Sequence, residues 1–590
     1  MSRYKTLPDL LKLRAHEHPD DVAHWILDTD DTWHPISNIE FYRKVMGLSG
    51  KLQALGINTG QVVAIMATTS HVWESLHHAF LSLGGIVVGI DPNENSEQLN
   101  AIIKIANVKI LAIDQIKYLD KFNDLSQFDN IVAFNSDPSR YQQDKIKYLD
   151  IPETANGELN DTPQPEILKP SDIATIVFTS GTTGTPKGIA YRHDQIIAAI
   201  DSILLTYPEL NDKPCHLVCW LPLSNLFQRI VNLCALAGGA EVYFVEQTHK
   251  IIEYLPAINP HIFIAVPRFY EKLYQGFEAK LNLQPRLISL CLKYSLKMGE
   301  SPSTIGSLFR AANRQVFKSF TSLFGENIRY MVSGSAAMPV WLLHRYQSLG
   351  LLILEAYGLS ENVVPIAANR SSEYRFGTVG KALPGNTINL ADDDELLVKG
   401  IGVFNGYLDD QPTKQSTNES EFLPTGDYAK IDAQGFISLT GRKSEVFKTS
   451  TGRKIAPVAI ESVLQSNVAI EHAVVFGENR KFLVALVTVG NSNTIEDQSR
   501  TTYAKKIAID LTATTLGLPE YKRPVGIIFS YKPLSVAEQE LTTNLKLRRK
   551  NIRHKYEKWI EELYNLLEEP ESTIHSQPIS ASRDIVLLKL

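Results

Sequence analysis

The chain of 590 residues has few cysteines, no long hydrophobic run and no excess of basic side chains. Four cysteines are too few for a disulfide framework in a chain of this length, and they are typical of a reducing cytoplasm. No uninterrupted run approaches the ~20 apolar residues that cross a bilayer, and the polar N-terminal segment is unlike an apolar signal core. The C-terminal Leu588-Lys589-Leu590 lacks the serine of the Ser-Lys-Leu peroxisomal address. We therefore expect a cytoplasmic protein with no transmembrane segment.

The charge balance argues against a nucleic-acid partner. The net charge is −6 and the pI is near 6.2, whereas a general nucleic-acid binder usually carries a basic surplus. Hydrophobic residues make up 44% of the chain and charged residues 21%, which is the balance of a globular protein with more than one domain.

One short stretch looks like part of a metal site. Cys215, His216 and Cys219 carry ligand atoms at close spacing, but no second ligand pair follows at a useful distance. Because the surrounding residues are apolar, we predict a buried strand here and no metal.

The N-terminal part of the chain predicts alternating helices and strands. Ser37 to Glu40 form a capping box, and apolar residues then recur at helical spacing until Gly56 ends the helix. The next predicted elements are strands at 62–66, 86–90 and 109–113, with helices at about 73–83 and 95–106. Strand–helix–strand units of this length indicate an α/β fold with a parallel, doubly wound sheet.

The middle of the chain is less regular. Residues 115–170 are polar and lack strong periodicity, so they predict mostly connecting structure. Residues 270–324 predict helices, with Leu287, Leu290 and Tyr294 on one side.

The pattern changes again near Gly441. Two apolar segments flank residues 477–481 and predict a hairpin in a smaller α+β unit. A charged amphipathic helix is predicted from Leu547 to Leu567. The predicted organisation is a large domain over 1–441, a small domain over 442–567 and a tail without an assigned role over 568–590.

The segment from Thr179 to Gly188 predicts a phosphate-binding loop. It lies between a predicted strand and a predicted helix that begins near Arg192. Its glycines let the backbone approach a polyanion, its hydroxyls donate hydrogen bonds, and Lys187 supplies a mobile positive charge. The candidate nucleotide-binding residues in this loop are Thr179, Ser180, Gly181, Thr182, Thr183 and Gly184.

The loop does not fit the P-loop of kinases and ATPases. That motif ends in Gly-Lys-Ser/Thr, with the lysine opening a helix. Here Pro186 precedes Lys187 and Gly188 follows it, so the register differs.

The loop instead resembles the phosphate loop of the adenylate-forming superfamily, and further motifs of that superfamily follow in order. Tyr357-Gly358-Leu359-Ser360-Glu361 resembles its Tyr-Gly-Thr-Glu motif, Thr425-Gly426-Asp427 resembles its ribose motif, and Gly441-Arg442 resembles its domain junction. By this resemblance Tyr357 lies against adenine, Gly358 is a further nucleotide-binding residue, and Ser360 reaches the α-phosphate. Glu361 holds Mg²⁺, and Asp427 and Arg442 contact the ribose.

Three further stretches resemble the long-chain acyl-CoA synthetase branch of that superfamily. They are Trp220 to Arg229, Val266 to Tyr274, and Leu541 to Arg549. The resemblance implies an enzyme that uses ATP, Mg²⁺ and CoA to convert a fatty acid into an acyl-adenylate and then a thioester. It also implies a mobile small domain. Lys546 is then the candidate catalytic lysine, acting with Lys187 and Glu361.

The sequence departs from the branch at three positions. Asn225 stands where histidine is usual and Gln228 where glutamate is usual, which puts acyl specificity in question. Asn225 and Phe227 are the acyl-site candidates. Ser444 stands at the hinge, where lysine or aspartate is usual, and this affects the second half-reaction more than the first.

Three alternatives remain open from the sequence. A fatty acyl-AMP ligase would pass the acyl group to an acyl carrier protein, but no clear inserted segment separates Glu361 from Asp427. A non-catalytic nucleotide-binding relative would not need the charged residues named above, which are all present. Peripheral membrane contact through the helix at 547–567 is the third alternative, although its mixed charge favours a packed helix.

Overall fold

The computed structural model describes ten parts of the chain. They are residues 3–134, 145–149, 151, 168–180, 186–408, 421–467, 469–489, 497–541, 547–568 and 584–590.

The largest sheet has seven strands, and the first six run parallel. The last strand pairs antiparallel with its neighbour. In spatial order the strands are Ile146–Leu149, Asn130–Phe134, Ile110–Ile113, Val62–Met66, Ile86–Ile90, Ile173–Ser180 and Pro186–Arg192. The parallel sheet predicted from the sequence is therefore confirmed.

The prediction of mostly connecting structure over 115–170 is wrong for two segments. Asn130–Phe134 and Ile146–Leu149 extend the parallel sheet at its edge. Each is only four or five residues long, and a run that short shows no clear period in a polar context.

Helices cover both faces of this sheet, as a doubly wound fold requires. Val63 and Ile65 belong to one core cluster, and Ala64 and Met66 point the other way into a second. The helices of the first face are Asn38–Ala54, His71–Ser82 and His193–Thr206, and the second face carries Ser96–Ile105. The capping box at Ser37 is present, with Glu40 bonded back to the Ser37 backbone.

Three more sheets complete the part of the chain before residue 443. A five-stranded sheet, called here the central sheet, has the order Ile262–Ala265, Tyr330–Ser333, Ile353–Leu359, Asn362–Ala368 and Lys381–Ala382. The second sheet has the order His216–Cys219, Glu241–Phe244, Val22–Leu27 and Trp33–Ser37. The third has the order Asn386–Leu390, Glu395–Gly400, Leu423–Ile431 and Ile437–Arg442. The remaining α-helices of this part are Leu7–Glu17, Leu226–Gly238, Ile251–Ile258, Pro267–Asn282, Arg286–Gly299, Thr304–Val316, Lys318–Thr321 and Val340–Ser348.

The buried strand predicted around Cys215 to Cys219 is present as His216–Cys219. Both cysteines are buried and unpaired. Burial raises the pKa of Cys215 to about 12, so its thiol is protonated at neutral pH.

The part of the chain after residue 443 has its own core. The described core clusters take their residues either from 7–437 or from 455–588. Its sheet has the order Ile470–Phe476, Leu483–Val489, Pro524–Ser530 and Ile585–Lys589, and its helices are Pro457–Leu464, Asp497–Thr515 and Arg549–Glu568. Two short strands, Phe447–Lys448 and Lys454–Ile455, pair with each other.

The predicted hairpin around 477–481 is confirmed, since Val475 lies opposite Ala485 in an antiparallel pair. The sequence assigned no role to residues 568–590. In the structure Ile585–Lys589 pairs with Pro524–Ser530 and completes the small sheet.

The predicted helix from Leu547 to Leu567 is observed as Arg549–Glu568. Its apolar side chains are buried against the small sheet rather than exposed: they are Ile552, Tyr556, Ile560, Leu563 and Tyr564. Among the described residues, no helix is both long and apolar enough to cross a membrane.

Candidate active site

The predicted phosphate loop joins two paired strands. Thr179 lies opposite Lys187, and Ser180 lies opposite Pro186, in the pair formed by Ile173–Ser180 and Pro186–Arg192. The predicted helix begins at His193, with Arg192 as its N-cap. Gly181, Thr182, Thr183 and Gly184 lie outside the described residues. The strand Ile173–Ser180 pairs in parallel with Ile86–Ile90. The loop thus follows the carboxyl end of a parallel strand, where open α/β sheets bind their ligands.

Lys187 and Glu361 meet through a third residue, Tyr407. The Lys187 ammonium lies 4.5 Å from the centroid of the Tyr407 ring, within the range of a cation–π contact. The Tyr407 hydroxyl donates a hydrogen bond of 2.8 Å to Glu361 Oε1. One side chain thus contacts both charged groups that the sequence assigned to the phosphates and the metal, and Tyr407 belongs to none of the sequence motifs.

Backbone contacts hold Tyr407 at this position. Leu408 N–H donates to the Gly188 carbonyl at 2.9 Å, and Ile189 bridges with Tyr407. Phe404 N–H donates to the Glu361 carbonyl at 2.9 Å. The segment that carries Tyr407 is therefore fixed both to the strand after the loop and to the metal candidate.

Tyr191 supports the same region from within the core. It is fully buried, and its hydroxyl donates to the Ser360 carbonyl. Burial raises the pKa of Tyr191 well above its usual range, and nearby Glu361 and Tyr407 add to this. Tyr191 therefore stays a neutral donor and anchors the turn that presents Ser360 and Glu361.

Tyr357, Asp427 and Arg442 form a hydrogen-bonded group. The Tyr357 hydroxyl donates to Asp427 Oδ2 at 2.6 Å, and Arg442 Nε lies 3.2 Å from Asp427 Oδ1. Tyr357 and Asp427 are buried, whereas the Arg442 side chain is 59% exposed. Burial, together with the Asp427 charge, raises the pKa of Tyr357, so its hydroxyl remains the donor. Three residues that are far apart in sequence thus form one polar cluster.

Strand pairing and a glycine with positive φ set the position of Asp427. Asp427 lies directly opposite Arg442 in an antiparallel pair. Gly426, with φ of +74°, donates its N–H to Glu395 Oε1 at 3.0 Å, in a conformation that favours glycine. The other Glu395 oxygen accepts from Lys443 at 2.6 Å.

Glu361 has the properties that a magnesium ligand needs. Its Oε1 accepts from Tyr407, and no described residue donates to its second oxygen. A carboxylate oxygen of this kind, beside a basic side chain that suits phosphate, is the hard donor that Mg²⁺ prefers. The residues present therefore fit a magnesium ion that is bound together with phosphates.

Glu355 lies on the strand Ile353–Leu359, two residues before Tyr357, and is buried. Burial raises the pKa of Glu355 to about 7, because a carboxylate is poorly solvated there. It accepts a hydrogen bond of 3.0 Å from Met338 N–H. Glu355 therefore connects the strand Ile353–Leu359 to the segment that follows the neighbouring strand Tyr330–Ser333.

Phe227 faces a region lined by small residues. Its ring tip would lie 3.7 Å from a Cβ placed on Gly334, and the Ala356 carbonyl would lie 3.8 Å from the same point. Gly334 follows the strand Tyr330–Ser333, so this space lies at the carboxyl end of the central sheet. Asn225 is exposed and occupies the N-cap of Leu226–Gly238 without a side-chain capping bond.

Gln228 and Arg229 are buried structural residues. Gln228 Nε2 donates to Asn232 Oδ1 at 2.9 Å. Arg229 donates to Thr175 Oγ1 at 2.8 Å, and its guanidinium lies 5.8 Å from the Trp73 ring centroid. Burial lowers the pKa of Arg229 to about 10. Since Thr175 is on the strand that leads into the phosphate loop, Arg229 fixes the base of that strand.

The hinge candidate and the catalytic-lysine candidate lie in the C-terminal part. Ser444 is exposed, in a turn that Arg442 O closes by accepting from Glu445 N–H at 3.0 Å. Lys546 lies outside the described residues. Its flanking residues Leu541 and Leu547 form an antiparallel bridge.

Arg549, just beyond that bridge, holds the segment to the small domain. It donates two hydrogen bonds to the carboxylate of Glu461, at 2.6 and 2.5 Å. Its Nε also lies 3.5 Å from a carboxylate oxygen of Glu445, the residue after the hinge candidate Ser444.

Within the described residues, an ion pair joins the small sheet to the part of the chain before residue 443. Arg268, on the helix Pro267–Asn282, pairs with Glu471 of the small sheet and with Glu271 of its own helix. Burial lowers the pKa of the neighbouring His472 to about 3, and the charges of Arg268 and Lys272 add to this. The contact therefore favours neutral histidine.

Among the described residues, one group of three side chains has ligand atoms close enough to share a metal ion: Glu74, His77 and His78. All three are buried on one helix, and His78 Nε2 lies 3.5 Å from Glu74. Burial lowers the pKa of His77 well below its usual value. The group belongs to the core around Trp73 and Arg229 and is separate from Glu361.

The chain resembles known proteins over most of its length. The family model "AMP-binding enzyme" matches residues 11–408, and the model "AMP-binding enzyme C-terminal domain" matches residues 445–568. The long-chain-fatty-acid–CoA ligase FadD15 of Mycobacterium bovis is 29% identical over 575 residues, which cover 93% of this chain and 95% of the relative. The mouse long-chain-fatty-acid–CoA ligase ACSBG2 is 27% identical and covers 78% of this chain and 73% of its own length.

Solved structures share the fold at lower identity. The adenylation domain of a carboxylate reductase from Mycobacterium chelonae has a TM-score of 0.72 at 20% identity, over 95% of this chain and 91% of that domain. The o-succinylbenzoate CoA synthetase of Bacillus subtilis, solved with ATP and magnesium ion, has a TM-score of 0.65 at 19% identity, over 92% and 98% of the two chains. With a family model that spans most of its large α/β part and a second that spans its small part, this chain belongs to the AMP-binding enzyme family.

Proposed function

We propose that this protein is an AMP-forming ligase that activates a long-chain fatty acid with ATP and transfers the acyl group to CoA. The substrate class is taken from the long-chain-fatty-acid–CoA ligases that resemble nearly the whole chain. The reaction type is that of an acid–thiol ligase. We propose that residues 1–441 hold the nucleotide and acyl sites and that residues 442–567 form a mobile domain.

One observation carries the proposal. Tyr357, Asp427 and Arg442 come from three separate motifs, and a hydrogen bond and an ion pair join them at one place. A buried carboxylate with one oxygen near a tyrosine hydroxyl and the other near an arginine suits a cis-diol such as ribose. The Tyr357 ring beside it would lie against the base.

The phosphates would lie beside Lys187 and Glu361. Lys187 supplies positive charge to the β- and γ-phosphate oxygens, and Tyr407 orients it. Ser360 would donate its hydroxyl to the α-phosphate. A bound magnesium ion, held by Glu361, would neutralise phosphate charge. In the first half-reaction the fatty-acid carboxylate attacks the α-phosphorus, pyrophosphate leaves, and an acyl-adenylate forms.

Lys546 is the proposed positioning and stabilising cation of this first step. Its ammonium would face the carboxylate and α-phosphate oxygens as negative charge develops, which is usually the largest catalytic contribution. In the second half-reaction the CoA thiolate attacks the acyl carbonyl and AMP leaves. We propose that rotation about Ser444 exchanges these two states.

The test uses the purified full chain with Mg-ATP and fatty acids from acetate to stearate, with and without CoA. Pyrophosphate release and mass spectrometry of the acyl products are followed together. Acyl-CoA from one chain-length class supports the proposal. Acyl-AMP without acyl-CoA would redirect the proposal to a carrier-protein thiol. No pyrophosphate with any acid would refute the enzyme function and favour a nucleotide-binding role.

A pair of lysine variants separates the catalytic role from a general effect of charge. Lys546→Ala should lower acyl-AMP formation by about 10² or more, since the lost cation acts in the transition state. Lys550→Ala removes an exposed lysine from the same basic run and should leave the rate within about twofold. Equal losses in both variants would contradict the assignment of Lys546.

A further inference from the structure

An exposed apolar surface lies between residues 283 and 316, outside the active-site motifs. Seventeen large apolar side chains are exposed among the described residues, and eight of them fall between residues 283 and 316. They are Leu283, Leu287, Ile288, Leu290, Tyr294, Ile305, Leu308 and Val316. Soluble chains scatter such residues singly, whereas a contiguous group marks an interaction site.

Two helices carry this surface, and both turn their apolar stripe outward. On Arg286–Gly299 the exposed stripe is Leu287, Leu290 and Tyr294, at helical spacing, and on Thr304–Val316 it includes Ile305 and Leu308. The opposite sides carry the buried contacts, at Ser289, Leu296, Gly299, Gly306 and Asn313. We call the outward side of this helix pair the hairpin face.

The hairpin face is held rigidly by a buried asparagine. Asn313 is fully buried, and its Nδ2 donates to the Ser295 carbonyl at 3.2 Å and to the Ser348 carbonyl at 3.0 Å. Its Oδ1 accepts from Ser295 Oγ at 2.5 Å. One residue thus joins both helices to Val340–Ser348. The outward direction of the apolar stripes is therefore a property of the packed fold.

Charge around the hairpin face has the opposite sign to that of the whole chain. Residues 286–316 contain five lysines and arginines and a single acidic residue, Glu300, which is a net charge of +4 in a chain whose net charge is −6. Glu300 is itself paired with Arg345 at 2.9 Å. Basic side chains that border an apolar helical surface match a bilayer with anionic headgroups.

We propose that the hairpin face docks on the surface of an anionic lipid bilayer, with the two helices lying in the membrane interface. The leucines and isoleucines would enter the boundary between headgroups and acyl chains. Tyr294 would lie at headgroup level, as amphipathic rings do, and lysines such as Lys293 and Lys297 would pair with phosphates. The sequence offered the helix at 547–567 as another site of membrane contact. Its apolar side is buried in the small domain, so the hairpin face replaces it as the proposed contact.

The position of the hairpin face suits delivery of an apolar substrate, and this part rests on the proposed function. The helix Val340–Ser348 packs against both hairpin helices and against the strand Ile353–Leu359 that carries Tyr357. Docking would therefore bring the central sheet close to the lipid that holds the fatty acid.

The chain supplies its own probe for docking. Cys291 lies among the exposed apolar residues and is exposed, whereas Cys215, Cys219 and Cys234 are buried. An environment-sensitive fluorophore attached at Cys291 should brighten and shift to the blue when vesicles of two-thirds phosphatidylcholine and one-third phosphatidylglycerol are added. High salt should weaken this response because the charge attraction is screened. The measurement needs neither ATP nor fatty acid, so it does not depend on ligase activity.

Sedimentation with the same vesicles tests which residues bind. Leu287→Ser combined with Leu290→Ser should reduce binding about tenfold or more, since lipid contact scales with apolar area. Lys293→Glu combined with Lys297→Glu should also reduce it, and only for anionic vesicles. The matched control is Leu205→Ser with Leu516→Ser, which changes two leucines that are 70% and 62% exposed elsewhere and should leave binding unchanged.

Three results would overturn the proposal. One is the absence of any vesicle binding or fluorescence change. Another is vesicle binding that the Leu287 and Leu290 variant does not alter. The third is a dimer in sedimentation velocity that this variant dissociates, without vesicle binding, since a second copy would then cover the hairpin face. Unchanged acyl-CoA formation from dispersed fatty acid would show that the variant is folded.

Discussion

Removing the Tyr357 hydroxyl tests whether the group around Asp427 binds the nucleotide. Tyr357→Phe keeps the ring and deletes one donor, so the hydrogen bond of 2.6 Å to Asp427 is lost. Both residues are buried, so solvent screening is weak. A hydrogen bond to a charged group contributes about 1.5–3 kcal/mol. Arg442 still approaches the other Asp427 oxygen at 3.2 Å, so we expect the lower end of this range.

This bond exists before AMP binds, so its loss first lowers the folding stability by that amount. We expect the affinity for AMP to fall as well, by about tenfold (~1.4 kcal/mol), because Asp427 is then no longer held in the orientation that accepts the ribose hydroxyls. Isothermal titration of AMP into the purified protein measures this loss directly, and the KM for ATP in pyrophosphate release should rise by a similar factor. The reasoning is refuted if the AMP affinity stays within about twofold of wild type while the variant remains folded.

Tyr346→Phe provides the matched control for this variant. Tyr346 is also buried, and its hydroxyl donates to the Tyr270 carbonyl at 2.9 Å, away from Asp427. We expect a loss of stability of about 1 kcal/mol, as for a neutral hydrogen bond, with unchanged affinity for AMP. If both variants lost affinity equally, the effect of Tyr357→Phe would be structural.

Two further variants test the remaining parts of the site. Tyr407→Phe removes the donor to Glu361 but keeps the ring beside Lys187; pyrophosphate release at limiting Mg²⁺ should fall about tenfold, and saturating Mg²⁺ should restore most of the rate. Glu355→Gln removes a buried group whose pKa is raised to about 7. The stabilising contribution of the neutral carboxyl is present below the unfolded pKa of about 4.5 and is lost as pH rises through 7. The stability of Glu355→Gln relative to wild type should therefore rise by about 2.5 kcal/mol between pH 5 and 8 in urea denaturation.

The outcomes that contradict these two predictions are distinct. A rate loss in Tyr407→Phe that no Mg²⁺ concentration restores would mean that the hydroxyl acts on substrate rather than through Glu361. For Glu355→Gln, the same difference in stability from wild type at both pH values would mean that Glu355 is already ionised in the folded protein at pH 5.

Local sequence signals predicted much of the fold. The capping box at Ser37 and Glu40 is observed, because both partners lie within one helical turn and need no distant contact. The parallel strands at 62–66 and 86–90 are also observed, since continuous apolar runs of that length suit a sheet buried on both faces. The strands Asn130–Phe134 and Ile146–Leu149 escaped prediction because short edge strands show weak periodicity.

For the candidate site, the sequence predicted the residues but not how they contact one another. Glu361 was predicted from its motif, whereas Tyr407 reaches it only because separate strands bring Leu408 against Gly188. No spacing rule links Tyr357 to Asp427, which are 70 residues apart. Their roles toward ATP remain predictions, as do those of Lys546 and Ser444.

What the sequence by itself determined is the set of chemical groups and the local elements: the glycine–threonine loop, the Tyr357 to Glu361 motif and the helical period of residues 286–299. Tertiary structure alone decided which groups meet and which face water. The spacing of Leu287, Leu290 and Tyr294 is the same for a core stripe as for an exposed one. Only the packing of the opposite side of the helix, tied down by Asn313, turned that stripe outward.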